Sequence, residues 1–544
     1  MKKHNHLTWR RALRSLSSAA FGAVLLAGLC MGGAGMAYAA TPISPVDSTA
    51  VAQLKLRYVS DSSDKGITAL SSDPDYRPVT LPEVANRETG KAGLCYPTPF
   101  NPGVDADGYC WNDDADDNGT NGWAPQGFSV PHNASGDGTW NSRRWEVTSW
   151  HDASEVARLR FTDRGSATPT YFDVSLIEVS ADGSGYSLGK LTSHADGVVW
   201  YGNNLLLAGG RYLRVASLSD LKIAPDNSYV LPIRHTYRTP ADASTSCSVS
   251  TGGSPCLNGL SFDRSNNALT SNEYLRGAAG ARIIRWPFNL STGLPRADSG
   301  ATTGDSTAMA ARTSPVWGMQ GVLYAQGSFF ISGACPSSFD VSYREPACVH
   351  KGTPGAAPSV LTAVPDMTQN LDWDASTDRI RGVNEVAQST QPYPQRLVFD
   401  FSPTARAITT VRFRNVNSDK CLTPYGSSLN NGAYVVQWDC NGHSGENWYW
   451  NGSEIRNFQS DRCLTIYGAS TSNGANATQW VCNGSAAQQW TRVTGAAGGG
   501  SMLVNGNSGL CLTIYGGSLD NGANSTQWTC GSSNLAHSWV GYTP

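Results

Sequence analysis

Cys421-Leu-Thr-Pro-Tyr-Gly426, Cys463-Leu-Thr-Ile-Tyr-Gly468 and Cys511-Leu-Thr-Ile-Tyr-Gly516 are three copies of one phrase. Each runs on through an Asn-Gly pair (431–432, 473–474, 521–522) to Gln-Trp-x-Cys, ending at Cys440, Cys482 and Cys530. The separation between the two cysteines is 19 in all three, and a further Trp (Trp448, Trp490, Trp539) closes each unit. The starts lie 42 and 48 residues apart, the difference falling in the Gly-rich stretch 495–500. Short apolar runs and Asn-Gly turns predict strands and hairpins rather than helices. One such unit cannot bury its Leu, Ile, Tyr and Trp side chains alone, whereas three around a pseudo-threefold axis can share a core.

Repeats of this kind resemble the ricin-B-type β-trefoil lectins, also called family-13 carbohydrate-binding modules. The resemblance covers residues 410–544, about a quarter of the chain. It implies a β-trefoil that holds polysaccharide or glycan. In that family an Asp two residues after the first Cys accepts bonds from sugar hydroxyls. An aromatic two residues before the second Cys stacks on the ring, and an Asn-Gln pair near the closing Trp completes the pocket. The carry-over gives Trp438, Trp480 and Trp528 as the aromatics. Thr423, Thr465 and Thr513 stand where the family has Asp, and a neutral hydroxyl is the weaker acceptor. Gln488 keeps the pair's Gln, while Glu446 and His537 replace it in the other two repeats. The alternative is that these Trp side chains are packing residues and the module a spacer.

The N-terminus reads as an export signal. Lys2, Lys3, Arg10, Arg11 and Arg14 precede an apolar run from Ala19 to Leu29 and the small-x-small site Ala37-Tyr38-Ala39. The expected mature protein begins near Ala40, secreted and extracellular. The chain has 40 Lys and Arg against 43 Asp and Glu, and losing the five basic residues of the signal leaves −8. Nucleic acid and anionic membranes are poor partners for such a surface. Of 13 cysteines, Cys30 leaves with the signal. The other twelve fall into neighbouring pairs: Cys95 with Cys110, Cys247 with Cys256, Cys335 with Cys348, and the three repeat pairs, Cys421 with Cys440, Cys463 with Cys482 and Cys511 with Cys530. An even number in an oxidising compartment argues for disulfides, and joining neighbours is the economical connectivity.

Upstream, a polar residue, a Gly or its equivalent and an apolar strand recur five times: Gln126-Gly127-Phe128, Asp196-Gly197-Val198, Asn258-Gly259-Leu260, Gln320-Gly321-Val322 and Gln369-Asn370-Leu371. Most instances continue into a polar turn and a second apolar strand. Such spacing without helical periodicity predicts a β-propeller over 95–401, with Tyr171–Val179 as a candidate for a sixth blade beside the five. A β-sandwich is the alternative. The pattern resembles the lactonase-like and NHL-type propellers, in which the polar residue before the Gly points into the central channel. By that resemblance Gln126, Asp196, Asn258, Gln320 and Gln369 would form a ring, with Glu273, Glu385 and His194 near the same face. Oxygen ligands of this kind suit Ca²⁺ or Mg²⁺, although amides dominate the ring. Cys110-Trp-Asn-Asp-Asp114 and His194-Ala-Asp-Gly-Val-Val-Trp-Tyr-Gly202 are also similar to a group of actinobacterial secreted proteins, a likeness that transfers no activity.

Two further motifs attract attention. Asp114, Asp116 and Asn118 match the first half of an EF-type Ca²⁺ loop, but position twelve is Pro125 where that loop needs a bidentate Glu. Gly185-Tyr-Ser187-Leu-Gly189 has the letters of a nucleophile elbow without the strand-to-helix context. The expected organisation is therefore all-β: signal 1–39, a partly irregular extension 40–94, a five- or six-bladed propeller 95–401, a linker 402–409 and a trefoil 410–544. The expected function is carbohydrate binding, with no cofactor beyond a candidate Ca²⁺. The alternative is an extracellular hydrolase or lyase, acting on polysaccharide or lactone, with Asp196, Glu273, Glu385 and His194 as its candidate catalytic groups.

Overall fold

The structure is a computed structural model. It describes residues 41–542 apart from 60–62, 96–98, 102, 112–121, 134–135, 167, 184, 241–246, 250–253, 337–346, 386–395, 405–409, 429 and 461. Asp114, Asp116 and Asn118 and the expected export signal lie outside the described residues. The protein is all-β, with two short α-helices, Ser48–Val51 and Ser63–Ser71, among the described residues. No helix there is long and apolar enough to cross a membrane.

Five antiparallel four-stranded meanders follow one another. The first is Ala124–Ser129, Trp145–His151, Ala157–Asp163 and Thr170–Asp182; the second is Gly197–Tyr201, Asn204–Gly209, Tyr212–Ser217 and Tyr229–Arg238. The third comprises Leu260–Asp263, Ala268–Asn272, Arg282–Asn289 and Ala310–Thr313, and the fourth Gly321–Ala325, Ser328–Ala334, Ala347–Gly352 and Ser359–Val364. Thr368–Asp374, Arg379–Asn384 and Leu397–Phe401 make the fifth, whose outer strand, Ala106–Cys110, comes from before the first meander. Tyr171–Val179, expected as a sixth unit, belongs to the fourth strand of the first meander, because it pairs with Ala157–Asp163.

The first strand of each meander packs against the first strand of the next, and that of the fifth against that of the first. A hydrophobic cluster fills each junction, which explains the unbroken apolar run Val198-Val-Trp-Tyr201. Alternate side chains leave a strand on opposite faces. Val198, Trp200, Leu205 and Leu207 meet the first meander, while Val199, Tyr201, Leu206 and Ala208 meet the third. Both faces are buried, so neither can be polar.

The repeated glycines are required by close approach. A Cβ on Gly127 would lie 2.6 Å from the Val198 nitrogen, and one on Gly321 2.7 Å from the Asn370 Cα. At the fifth position the side chain of Asn370 occupies the centre. It donates to the Phe128 and Leu260 carbonyls (3.1 and 2.7 Å) and accepts from the Leu260 nitrogen (3.1 Å), tying the fifth inner strand to the first and third. The segment before Cys95 is more ordered than its composition suggests. Ser44–Pro45, Lys55–Val59, Glu88–Thr89 and Lys91–Ala92 add to edges of the third, second, first and fifth meanders. Covering an edge removes a template for wrong pairing.

In the C-terminal region the hairpins Cys421–Trp438, Cys463–Trp480 and Cys511–Trp528 repeat with the same register. The first strand, Arg412–Asn415, pairs with the last, Trp539–Tyr542. Leu422, Leu464 and Leu512 share a core with Trp448, Trp490 and Trp539, whose indole nitrogens donate to the carbonyls of those same leucines (2.8, 2.8 and 3.0 Å). Gln437, Gln479 and Gln527 each donate to two carbonyls in the turn of a neighbouring repeat. Gln437 holds the third turn, Gln479 the first and Gln527 the second, so the clamps run in a circle. All six neighbouring cysteine pairs are disulfides.

Replacing Asn370 by Ala keeps the Cβ and removes three buried hydrogen bonds. The expected cost is about 2–4 kcal/mol, read as a lower urea midpoint for the unfolding of the N-terminal region.

Candidate functional site

Two places concentrate chemistry. On the C-terminal repeats, Trp438, Trp480 and Trp528 end their hairpins with 39, 38 and 43% of their surface exposed, far more than inward-facing residues of the same strands. The alternation along each strand forces this: Gln437, Gln479 and Gln527 turn inward to clamp, so the next side chain turns out. Each indole leans on the Asn-Gly turn of a neighbouring repeat, where Gly432, Gly474 and Gly522 have positive φ and no side chain to lift the ring away. Tyr425, Tyr467 and Tyr515 are still more exposed, and the Tyr425 ring lies 6.4 Å from that of Trp438. These tyrosines stand in the repeated phrase itself. Their threefold recurrence was the available signal, but position alone does not say which side chains face outward.

The polar candidates are placed differently. Thr423, Thr465 and Thr513 are buried, and their hydroxyls lie 3.2–3.5 Å from backbone carbonyls. Gln488 is 2% exposed; it accepts from the Asn483 nitrogen (2.8 Å) and donates to the Val481 carbonyl (2.9 Å). Gln488, expected as a sugar contact, thus staples its own loop. Its counterparts do the same work: Glu446 accepts from the Asn441 and Gly442 nitrogens, and His537 Nδ1 accepts from the Gly531 nitrogen. Three different side chains fill the position because an acceptor aimed at that loop is all it needs.

The second place is an open cavity of about 690 Å³ at the ends of the inner strands of the five meanders. Gln126, Asp196, Asn258, Gln320 and Gln369, the residues before the close-packed glycines and Asn370, all line it. His194 and Glu385 line it too. Glu273 does not join them. It is fully buried and its carboxylate takes the Arg282 guanidinium through two bonds (2.6 and 2.7 Å) as well as the Arg282 backbone nitrogen. A charge this deep needs a partner, and the neighbouring strand supplies one.

Within the cavity, His194 Nδ1 lies 2.8 Å from Asp196 Oδ1, and Asp196 Oδ2 accepts from the Gly210 nitrogen (3.2 Å). Burial works against a charge on His194, but the hydrogen bond and field of Asp196, with Glu385 and Glu155 behind it, raise its pKa above the ordinary value. His151 stacks on His194 with ring centres 3.9 Å apart. Its own pKa is lowered, first by burial and then by His194. Its Nδ1 bonds the Asp152 carbonyl and its Nε2 meets the Gln126 amide, the pattern of a neutral ring. Burial raises the pKa of Glu385, whose Oε2 accepts from the Gln369 amide at 2.7 Å. Sequence reasoning missed His151, which no local motif marks. It sits at the end of a strand in a different meander from His194.

Among the described residues, the one close grouping of three His, Cys, Asp or Glu side chains is Glu454 with Cys463 and Cys482. Its sulfurs are joined as a disulfide and offer no thiolate.

The Ricin-type beta-trefoil lectin domain family matches residues 409–539. A designed threefold-symmetric protein, ThreeFoil, is 28% identical over 24% of this chain and 96% of its own, with a TM-score of 0.23. The ricin B-like lectin of Macrolepiota procera, solved with lactose, is 16% identical over 26% of this chain and 99% of its own (TM-score 0.23). An exo-β-1,3-galactanase from Clostridium thermocellum is similar at 13% identity over 78% of this chain and 100% of its own (TM-score 0.28). No curated protein matches the chain significantly.

Substituting Asp196 by Asn removes the carboxylate that supports the His194 charge and leaves the burial that opposes it. The His194 titration, followed by NMR of the imidazole protons, is expected to move to lower pH.

Proposed function

We infer that this is a secreted protein that holds polysaccharide or glycan through the ricin-type β-trefoil lectin domain of residues 409–539. The observation that carries the reading is the set of three part-exposed indoles, one per repeat, each resting against the glycine of a neighbouring repeat's turn. A rigid aromatic face stacks on the apolar face of a sugar ring and costs little entropy to present. Here the acidic acceptor of the family is replaced by buried Thr. Affinity per site then rests on stacking, and three sites on one body raise it through multivalency. The six disulfides and the expected export signal fit an oxidising, extracellular setting. The acidic mature chain makes nucleic acid and anionic membranes poor partners.

Residues 95–401 read as a five-bladed β-propeller that presents its central cavity to solvent. Five consecutive meanders, cyclic contact among their inner strands and a separate apolar cluster at each junction support this over a two-layer sandwich. The fifth meander is completed by a strand from the start of the region, which fastens the ring.

The test is co-sedimentation of the mature protein with insoluble polysaccharides of differing linkage. Each single change Trp438→Ala, Trp480→Ala or Trp528→Ala is expected to weaken retention about three- to tenfold, and the triple change to abolish it. Retention unaffected by the triple variant would remove the indoles from the binding site.

A further inference from the structure

We propose that the cavity of residues 95–401 is a hydrolytic centre that cleaves a glycosidic bond, with Glu385 as general base and His194, positioned by Asp196, as general acid. That the substrate is a carbohydrate rests on the lectin reading above. The cavity supplies its own support for the class: its lining includes the amides of Asn258 and Gln320, which suit sugar hydroxyls, and the aromatic residues Tyr274 and Trp317.

Convergence is the first argument. A histidine and a carboxylate from distant parts of the chain, the second strand of the fifth meander ending just before Glu385, line one solvent-open volume. Each has a separate supporting shell. Asp196 holds His194, His151 lies flat against the His194 ring, and Gln369 holds Glu385.

Backbone strain is the second. Ala195, between His194 and Asp196, has φ +55°, and Met367, which also lines the cavity, has φ +53°. Such conformations are costly for residues other than glycine and persist where the surroundings enforce them. Here Ser149 Oγ donates to the Ala195 carbonyl (2.7 Å) and the Ala195 nitrogen donates to Ser193 Oγ (3.1 Å). His194 and Asp196, on either side of Ala195, both line the cavity.

The charge states fit the assignment. The Asp196 carboxylate favours the charged form of His194, the form that can donate a proton, and burial raises the proton affinity of Glu385, the group that must accept one. The groups acting on His194 are Asp196, Glu385, Glu155 and His151; those acting on Glu385 are His194, Arg396 and Asp196. In the reaction, Glu385 takes a proton from a water whose oxygen bonds to the anomeric carbon. The glycosidic C–O bond breaks with its electron pair going to the leaving oxygen, which receives the His194 proton. One water is consumed, and proton transfer through solvent from Glu385 to His194 restores the starting state.

The test uses the mature full-length protein and soluble, end-labelled oligosaccharides of six to ten units from β-1,3- and β-1,4-linked glucans, galactans, xylans and mannans and from α-linked arabinans. Cleavage of at least one is expected, with a bell-shaped pH profile whose acid limb is set by Glu385 and alkaline limb by His194. Glu385→Gln is expected to lower kcat by about 10²–10⁴-fold. Asp196→Asn is expected to move the alkaline limb to lower pH, which loss of a merely structural contact would not do. No cleavage of any oligosaccharide, or cleavage undiminished in Glu385→Gln, overturns the proposal. Sedimentation on insoluble polysaccharide reports the trefoil separately: binding without cleavage sinks this inference alone, and cleavage without binding sinks the lectin reading alone.

Discussion

The inner strands of the five meanders approach so closely that a side chain at Gly127, Gly197 or Gly321 would collide with the next strand's backbone, and one at Gly259 with the Asn272 side chain. That contact sets the terms for the rest of the N-terminal region. It fixes the level at which the five strands meet, so the residue before each glycine reaches the same end of the central space. Asn370 is the exception that makes the packing cohere, because its amide satisfies backbone groups of two other strands. The cavity is thus a by-product of close packing: the glycines close the centre, and the polar residues beside them open onto solvent.

Both regions solve one topological problem. In each, a late element pairs with an early one over a long separation of the chain. Ala106–Cys110 completes the fifth meander, and Arg412–Asn415 pairs with Trp539–Tyr542. Long loops cost entropy that grows only slowly with length, so the joins are affordable once the apolar junctions form. In the trefoil, the three Gln clamps add a second closed circuit inside the first. The same circuit exposes the indoles, since a strand that turns its Gln inward must turn the next residue out.

Buried carboxylates differ in the partners they meet. Glu273 is matched to Arg282 and Asp374 to Arg381 between neighbouring strands, Asp263 to Arg285 across the strand between them, and Glu146 to Arg381 of another meander. Asp196 and Glu385 instead meet a histidine and amides at the cavity wall. Guanidinium pairing neutralises a carboxylate and spends its acceptor sites, whereas an imidazole and an amide leave it able to exchange protons.

Much was legible in the residues alone. The threefold phrase of 19-residue loops carried the trefoil, because a repeat with matching Cys, Gly and Trp positions has few ways to share a core. The polar-Gly-apolar pattern carried the five inner strands and the five residues that line the cavity, since only close backbone approach demands a small residue at that point each time. What a local pattern cannot carry is direction and partnership across the fold. Glu273 and Glu385 both follow an Asn at the end of a second strand, yet Arg282 captures the first, and the second stays in the cavity. Gln488 matches a binding position in sequence and bonds its own loop, and His151 meets His194 only because two meanders bring their ends together. Period and spacing follow from chain geometry and so are written in the sequence; whether a polar group is spent on a neighbour or left for a ligand depends on what the folded chain places beside it.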